Sequence, residues 1–264
     1  MIDQPQLEGG PARADAGRRH LLRRLRVAPL LLLAGVALAG CNYPAFEAEN
    51  PADLQGRHTF YLWSGMVIAG LIVGGFVLVL ILWASLRYRA PRHDDGSLPK
   101  QTHSRIGWEV AYTTVPILIV AGIFGFTLHT LNEVDAMDPH PALKVHVIAY
   151  RWGWIFDYLG TNVSIHTTTS GYPQLVLPEN ETTEIILTSN DVVHEFMVPA
   201  FLFGRYAQPG IVNRFDFTPS RTGVFQGHCA VYCGLYHAEM LFTLRVAPPA
   251  TFSSWLQTQE AHAA

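Results

Sequence analysis

Cys229-Ala230-Val231-Tyr232-Cys233-Gly234-Leu235-Tyr236-His237-Ala238-Glu239-Met240 is the stretch on which the reading of this chain turns. Two thiols, an imidazole and a thioether fall within twelve residues. His194, at the end of an earlier strand-like run, offers a second imidazole. Soft sulfur combined with imidazole suits copper. One mononuclear blue-copper site uses a single cysteine, and two thiolates this close on one loop can bridge two metal ions, so the pair points to a dinuclear centre. A disulfide between Cys229 and Cys233 is the competing reading for an exported chain. It leaves His194, His237 and Met240 without a role. Zinc would accept the two cysteines and two histidines, but methionine is a poor zinc ligand.

Around this loop the sequence has the texture of a β domain. Lys144–Tyr150, Glu184–Thr188, Asn213–Phe217 and Leu241–Val246 are rich in β-formers, and several alternate apolar with polar. Glu179-Asn180-Glu181 and Thr222-Gly223 read as turns. Short strands at such spacing suggest a Greek-key sandwich or barrel. The residues from about Thr251 read as a short helix with a frayed tail.

Upstream the texture is that of a membrane protein. Leu62 to Leu86 contains no Asp, Glu, Lys or Arg and exceeds the roughly 20 residues needed to cross a bilayer. Tyr61, Trp63 and Trp83 lie near its ends, where amphipathic rings favour the interface. A second run extends from Val110 to Leu128, with Pro116 as a tolerable kink inside it. Arg87, Arg89, Arg92, Lys100 and Arg105 occupy the connection, which assigns it to the inner face. The segment before the first span and everything after residue 129 then lie outside.

The N-terminus supports that topology independently. Arg18, Arg19, Arg23, Arg24 and Arg26 precede an apolar run from Val27 to Ala39, the pattern of an export signal. The run ends in Leu38-Ala39-Gly40-Cys41, which resembles a bacterial lipobox with Cys41 as the lipidated residue. The expected organisation is a cleaved signal at 1–40, an N-terminal segment and helical hairpin at 41–130, and an exported domain with its tail at 131–264.

Charge and composition fit this division. Only 15% of the 264 residues are charged, low for a soluble domain. The formal charge of −3 argues against a nucleic-acid binder, which usually carries a basic excess. Residues 129–264 hold 6 basic and 12 acidic residues, so the outer domain is acidic and suited to steering a basic partner.

The pattern Cys-x3-Cys-x3-His-x2-Met, with Asp191-Val192-Val193-His194 upstream, resembles subunit II of cytochrome c oxidase. The resemblance covers nearly all of the chain after residue 40. It includes the hairpin, the aromatic stretch Tyr150-Arg151-Trp152-Gly153-Trp154-Ile155-Phe156-Asp157, and Val198-Pro199. It implies a membrane α plus all-β fold: a two-helix hairpin followed by a cupredoxin-like Greek-key β-barrel. It also implies a dinuclear copper centre, CuA, held by His194, Cys229, Cys233, His237, Met240 and the backbone carbonyl of Val231. The implied role is to take electrons from a c-type cytochrome and pass them to haem in catalytic subunit I, where oxygen is reduced as protons are translocated. By the same resemblance Trp152 is where electrons come in, Asp157 and Asp191 belong to the docking surface, and Glu109 stands at the mouth of a proton path. The chain lacks Cys-x-x-Cys-His, so no covalent haem is expected on it.

Three departures accompany the resemblance. Val231 stands where family members usually carry Glu, which leaves an interface magnesium ion without its carboxylate. Tyr206-Ala207-Gln208-Pro209-Gly210-Ile211 lacks the acid and the arginine of the usual Asp-x-x-Pro-Gly-Arg, and His228 replaces a common Gln. Two other functions are compatible with the residues: the copper subunit of a related nitric oxide reductase, and a lipoprotein that delivers copper without catalysis.

Overall fold

The computed structural model describes residues 50–89, 101, 103–168 and 171–263. The expected signal peptide, Cys41 and most of the basic connection lie outside the described residues. Two helices come first, α1 (Leu54–Arg87) and α2 (Ile106–Val134). Both are long and apolar enough to cross a membrane. At 1.5 Å per residue, the 34 residues of α1 reach about 50 Å, well beyond a hydrocarbon core of about 30 Å. The charge-free run from Leu62 is long enough to fill that core, which leaves the first turns, with Arg57 and His58, to extend beyond it. Pro116 lies inside α2 without ending it.

The start of α1 is bonded to the β domain. Asp53 caps the helix, its Oδ1 accepting from the Gly56 N–H at 3.0 Å. Ala52 N donates to Ala200 O at 2.8 Å, Leu54 N to Thr218 O at 3.1 Å, and Ser220 N to Ala52 O at 2.8 Å. Gly56 is required here, because a Cβ would lie 2.6 Å from Phe201 O. Beyond the end of α2, Asp135 pairs with Arg205 at 2.5 Å.

Ten strands follow among the described residues: β1 (Leu143–Tyr150), β2 (Gly153–Tyr158), β3 (Ser164–His166), β4 (Gln174–Pro178), β5 (Thr183–Ser189), β6 (His194–Val198), β7 (Phe203–Ala207), β8 (Asn213–Phe217), β9 (Gly223–Cys229) and β10 (Leu241–Ala247). They form two five-stranded sheets, ordered β3-β2-β1-β5-β8 and β4-β10-β9-β6-β7. Most neighbours are antiparallel, while β1–β5 and β10–β4 run parallel. This is a two-sheet β domain of the expected kind. A final helix, α3 (Pro249–Ala263), packs Phe252 and Trp255 against Tyr158.

The core lies between the sheets and is dominated by aromatic rings. β1 turns Val145, Val147 and Ala149 inward, as period-two alternation requires. Phe196 of β6 stacks on Phe242 of β10 at 4.7 Å, with Trp154 edge-on to both. Gly227 makes room for that stack, since a Cβ there would lie 2.1 Å from Phe242 Cζ. Tyr158 ties the sheets together: its hydroxyl donates to Val176 O at 3.0 Å and accepts from Val176 N at 2.7 Å. The second sheet therefore has a rigid interior, and its strand ends hold the site.

Candidate metal centre

Strand register brings the sulfur and imidazole donors together. His194 opens β6 and Cys229 closes β9, with Phe196 paired to Cys229 and Met197 to His228. Met240 stands just before β10, and its carbonyl accepts from Cys229 N at 3.0 Å. The loop from Ala230 to Glu239 is thus pinned at both ends and folds Cys233 and His237 back over Cys229.

The two sulfur atoms are 3.9 Å apart, too far for a disulfide, and both cysteines are free. His194 Nδ1 lies 3.9 Å from Cys229 Sγ, and His237 Nδ1 lies 3.6 Å from Cys233 Sγ. Met240 Sδ is 3.8 Å from Cys233 Sγ, and Val231 O is 3.2 Å from Cys229 Sγ. The donor atoms of His194, Cys229 and Cys233 all fall within 4.8 Å of one another, and all three residues are buried. Every residue expected as a ligand therefore converges on one point: His194, Cys229, Val231, Cys233, His237 and Met240.

The electrostatics of the cluster call for a cation. Burial opposes ionisation of Cys229, but hydrogen bonding with His194 and backbone groups outweighs it and brings the thiol down to about 7. Burial and the neighbouring Cys229 charge push Cys233 up to about 12. Two buried thiols at this separation cannot both ionise without nearby positive charge. A soft metal would supply that charge, and the sulfur-rich donor set fits copper.

A second layer orients the imidazole of His194. Asp191 Oδ1 lies 2.9 Å from His194 Nε2, which leaves Nδ1 to face Cys229. Asp191 Oδ2 accepts from Arg151 N at 2.7 Å, with Arg151 Nε at 3.5 Å. Trp154 Nε1 donates to Met240 O at 3.4 Å. Neither contact is readable from the motif, although Trp154 belongs to the aromatic stretch already noted.

The remaining expected residues lie in different places. Trp152 sits in the β1–β2 turn, and its indole rests on the backbone of Gly234, next to Cys233. Asp157 lies on the outward face of β2 and accepts from Ser164 Oγ at 2.6 Å. Glu109 lies far along the chain in the first turn of α2, where its carboxylate accepts from Arg105 N at 3.1 Å. His228 pairs with Met197 and Leu241, and strand alternation turns its ring away from the Cys229 side chain.

A helical hairpin of membrane-spanning length, joined to a two-sheet domain with a buried sulfur–imidazole cluster, defines the class of membrane-anchored proteins with a cupredoxin-like domain fit to hold a soft metal. A family model described as cytochrome C oxidase subunit II, periplasmic domain, matches residues 167–247. A probable cytochrome c oxidase subunit 2 from Streptomyces avermitilis is 31% identical over 284 residues, covering 91% of this chain and 88% of the relative. Cytochrome c oxidase subunit 2 of Mycobacterium tuberculosis is 29% identical, with 94% of this chain and 85% of the relative covered. The crystal structure of the periplasmic domain of subunit II of cytochrome oxidase from Bradyrhizobium japonicum matches with a TM-score of 0.44 and 29% identity, over 48% of this chain and 100% of that one. The chain belongs to the cytochrome c oxidase subunit 2 family.

Proposed function

We propose that this chain takes single electrons from a reduced c-type cytochrome and delivers them to the haem-copper catalytic subunit I of a terminal oxidase. The observation that carries the reading is the cage itself: two unbonded thiols 3.9 Å apart, flanked by two imidazoles, a thioether and a carbonyl. Cys229 and Cys233 would help hold two copper ions. His194, His237, Met240 and the Val231 carbonyl would complete the ligand set. When bound, the copper pair supplies a one-electron redox couple.

The protein's part is to hold these donors in nearly fixed positions. Cys229, Cys233 and Met240 are buried, and the strands that carry them are locked by the aromatic core. Fixed donors lower the rearrangement that accompanies a change of oxidation state. Burial also argues against copper delivery, which needs exposed, exchangeable ligands. Trp152, packed on the ligand loop and partly exposed, is the point at which electrons come in. Asp157 and Asp191 contribute to an acidic surface that attracts a basic donor.

In this reading the β domain lies on the outer face of a bacterial cell membrane and the loop between α1 and α2 inside, as the basic residues of that connection favour. Cys41 would carry lipid at the outer surface. Glu109, at the inner end of α2, would stand at the mouth of a proton path. With Val231 in place of an acid, this chain offers no carboxylate there to an interface magnesium ion. No haem is assigned to the chain.

The test is Trp152→Phe in the assembled oxidase. Cytochrome oxidation should slow by about tenfold or more, as expected when a pre-organised contact is lost, with copper content unchanged. An unchanged rate would remove Trp152 from the route.

A further inference from the structure

Trp152 is held by packing alone. Its Nε1 is buried and has no hydrogen-bond partner among the described residues. One face of the indole lies on Gly234, where an added Cβ would be 3.0 Å from Cζ2 and 3.2 Å from Nε1. Gly234 also has φ +125°, a conformation that other residues rarely adopt. The second contact comes from Tyr236. Its ring meets the indole edge to face, with centroids 5.0 Å apart and planes at 81°. Such geometry is the favoured one for aromatic pairs.

Gly234 and Tyr236 both belong to the short link between the ligands Cys233 and His237. That link is a tight turn, with His237 N donating to Gly234 O at 3.2 Å. The indole is thus gripped by the same few residues that carry two ligands. On its other side it borders an open cleft of about 560 Å³, lined by Thr167, Thr168, Gly171, Tyr172, Tyr236 and Glu239. Trp152 also packs against the core; on the cleft side no described residue hydrogen-bonds the indole nitrogen, and the Tyr236 ring is the aromatic contact that flanks the indole there.

We propose that Tyr236 is a positioning residue that clamps Trp152 onto the metal-ligand loop and thereby sets the rate of electron uptake. This rests on the reading of Trp152 as the point of electron uptake. In the step concerned, one electron leaves the donor's ferrous haem, which becomes ferric, and reduces the metal centre by one. Tyr236 exchanges neither electron nor proton; its ring is used and its hydroxyl is not. Tyr236→Phe should therefore retain the function, and Tyr236→Leu should lose it. The ring is 48% exposed, so its truncation leaves the core intact.

Two measurements test this. The first uses the full chain without copper, labelled with 5-fluorotryptophan, in detergent. The Trp152 fluorine resonance is assigned by its loss in Trp152→Phe. It should move in Tyr236→Leu, where the neighbouring ring current is gone, and stay near its wild-type position in Tyr236→Phe. The second uses the assembled oxidase. Tyr236→Leu should slow cytochrome oxidation by about threefold to tenfold, the scale expected when a pre-organised contact loosens by a fraction of an ångström, with an unchanged copper spectrum. Tyr236→Phe should restore the rate. A Trp152 resonance that does not move in Tyr236→Leu, or an altered copper spectrum in that variant, would overturn the proposal. An unchanged oxidation rate in Tyr236→Leu alongside a slowed Trp152→Phe would overturn it too. If Trp152→Phe is itself without effect, the electron-uptake reading fails first, and the clamp falls with it.

Discussion

Asp191 shows what a single residue adds to the motif. From the sequence it reads as a surface acid three residues before a ligand. In the structure its two oxygens are divided between His194 Nε2 and the Arg151 backbone. Burial alone would raise its pKa, but the hydrogen bonds from His194, Val192 N and Arg151 N prevail and keep the carboxyl below its usual range. One carboxylate thus orients a ligand and steadies the turn that carries Trp152. Outer contacts of this kind typically matter about 10–100-fold in metal affinity. Asp191→Ala should weaken copper binding by about that factor, measured by competition with a chelator of known affinity. Unchanged affinity would leave Asp191 with a surface role only. The candidate donors were legible because five of the six fall in one loop, and soft donors in that order have few other uses. The partners of those ligands were not, because sequence does not report which acid faces inward. Gly234 and Tyr236 lie within the same loop, yet nothing in their identity points to Trp152, which lies about eighty residues earlier.

At the scale of elements, the start of α1 is the clearest case of structure exceeding the pattern. A charge-free run marks only the part of a helix that lies in lipid, so Leu62–Leu86 was visible and the turns from Leu54 were not. Those turns hold the junction with the β domain. Asp53, fully buried there, is pushed up by burial to about 7 from an ordinary 3.8, against the opposing effects of the Gly56 N–H and the nearby Arg57 charge. Its Oδ2 has no hydrogen-bond partner among the described residues. The folded protein therefore keeps a proton that the unfolded chain gives up between about pH 4 and 7. Stability falls as pH rises through that window and stops changing on this account above it. Asp53→Asn keeps a good helix cap and should flatten the slope, read as thermal unfolding of the full chain in detergent between pH 4.5 and 8. Parallel slopes for the two proteins would show that Asp53 is not the source. Among the strands, β1, β5, β8 and β10 were legible as runs of β-formers, several of them alternating. β4 is buried on nearly every residue and shows no alternation, while β9 carries Gly227 and His228 where a simple strand would carry β-formers.

For the whole molecule, the sequence separated a membrane hairpin from an acidic β domain by hydropathy, strand texture and charge. It did not reveal how the two are joined. Residues 50–57 bond to Ala200 and to the Thr218–Arg221 segment, and Asp135 pairs with Arg205 beyond the end of α2. These contacts tie the hairpin to the same sandwich whose second sheet carries the cage. The low charged fraction is explained by the two spans, and Cys229 and Cys233 need no disulfide. The central proposal is that the loop from Cys229 to Met240 together with His194 holds a pair of copper ions. The direct measurement is the copper content and optical spectrum of the purified full chain after loading with copper. Two copper ions per chain and a purple oxidised protein are the predicted result; a single copper ion, or a colourless protein, would contradict it.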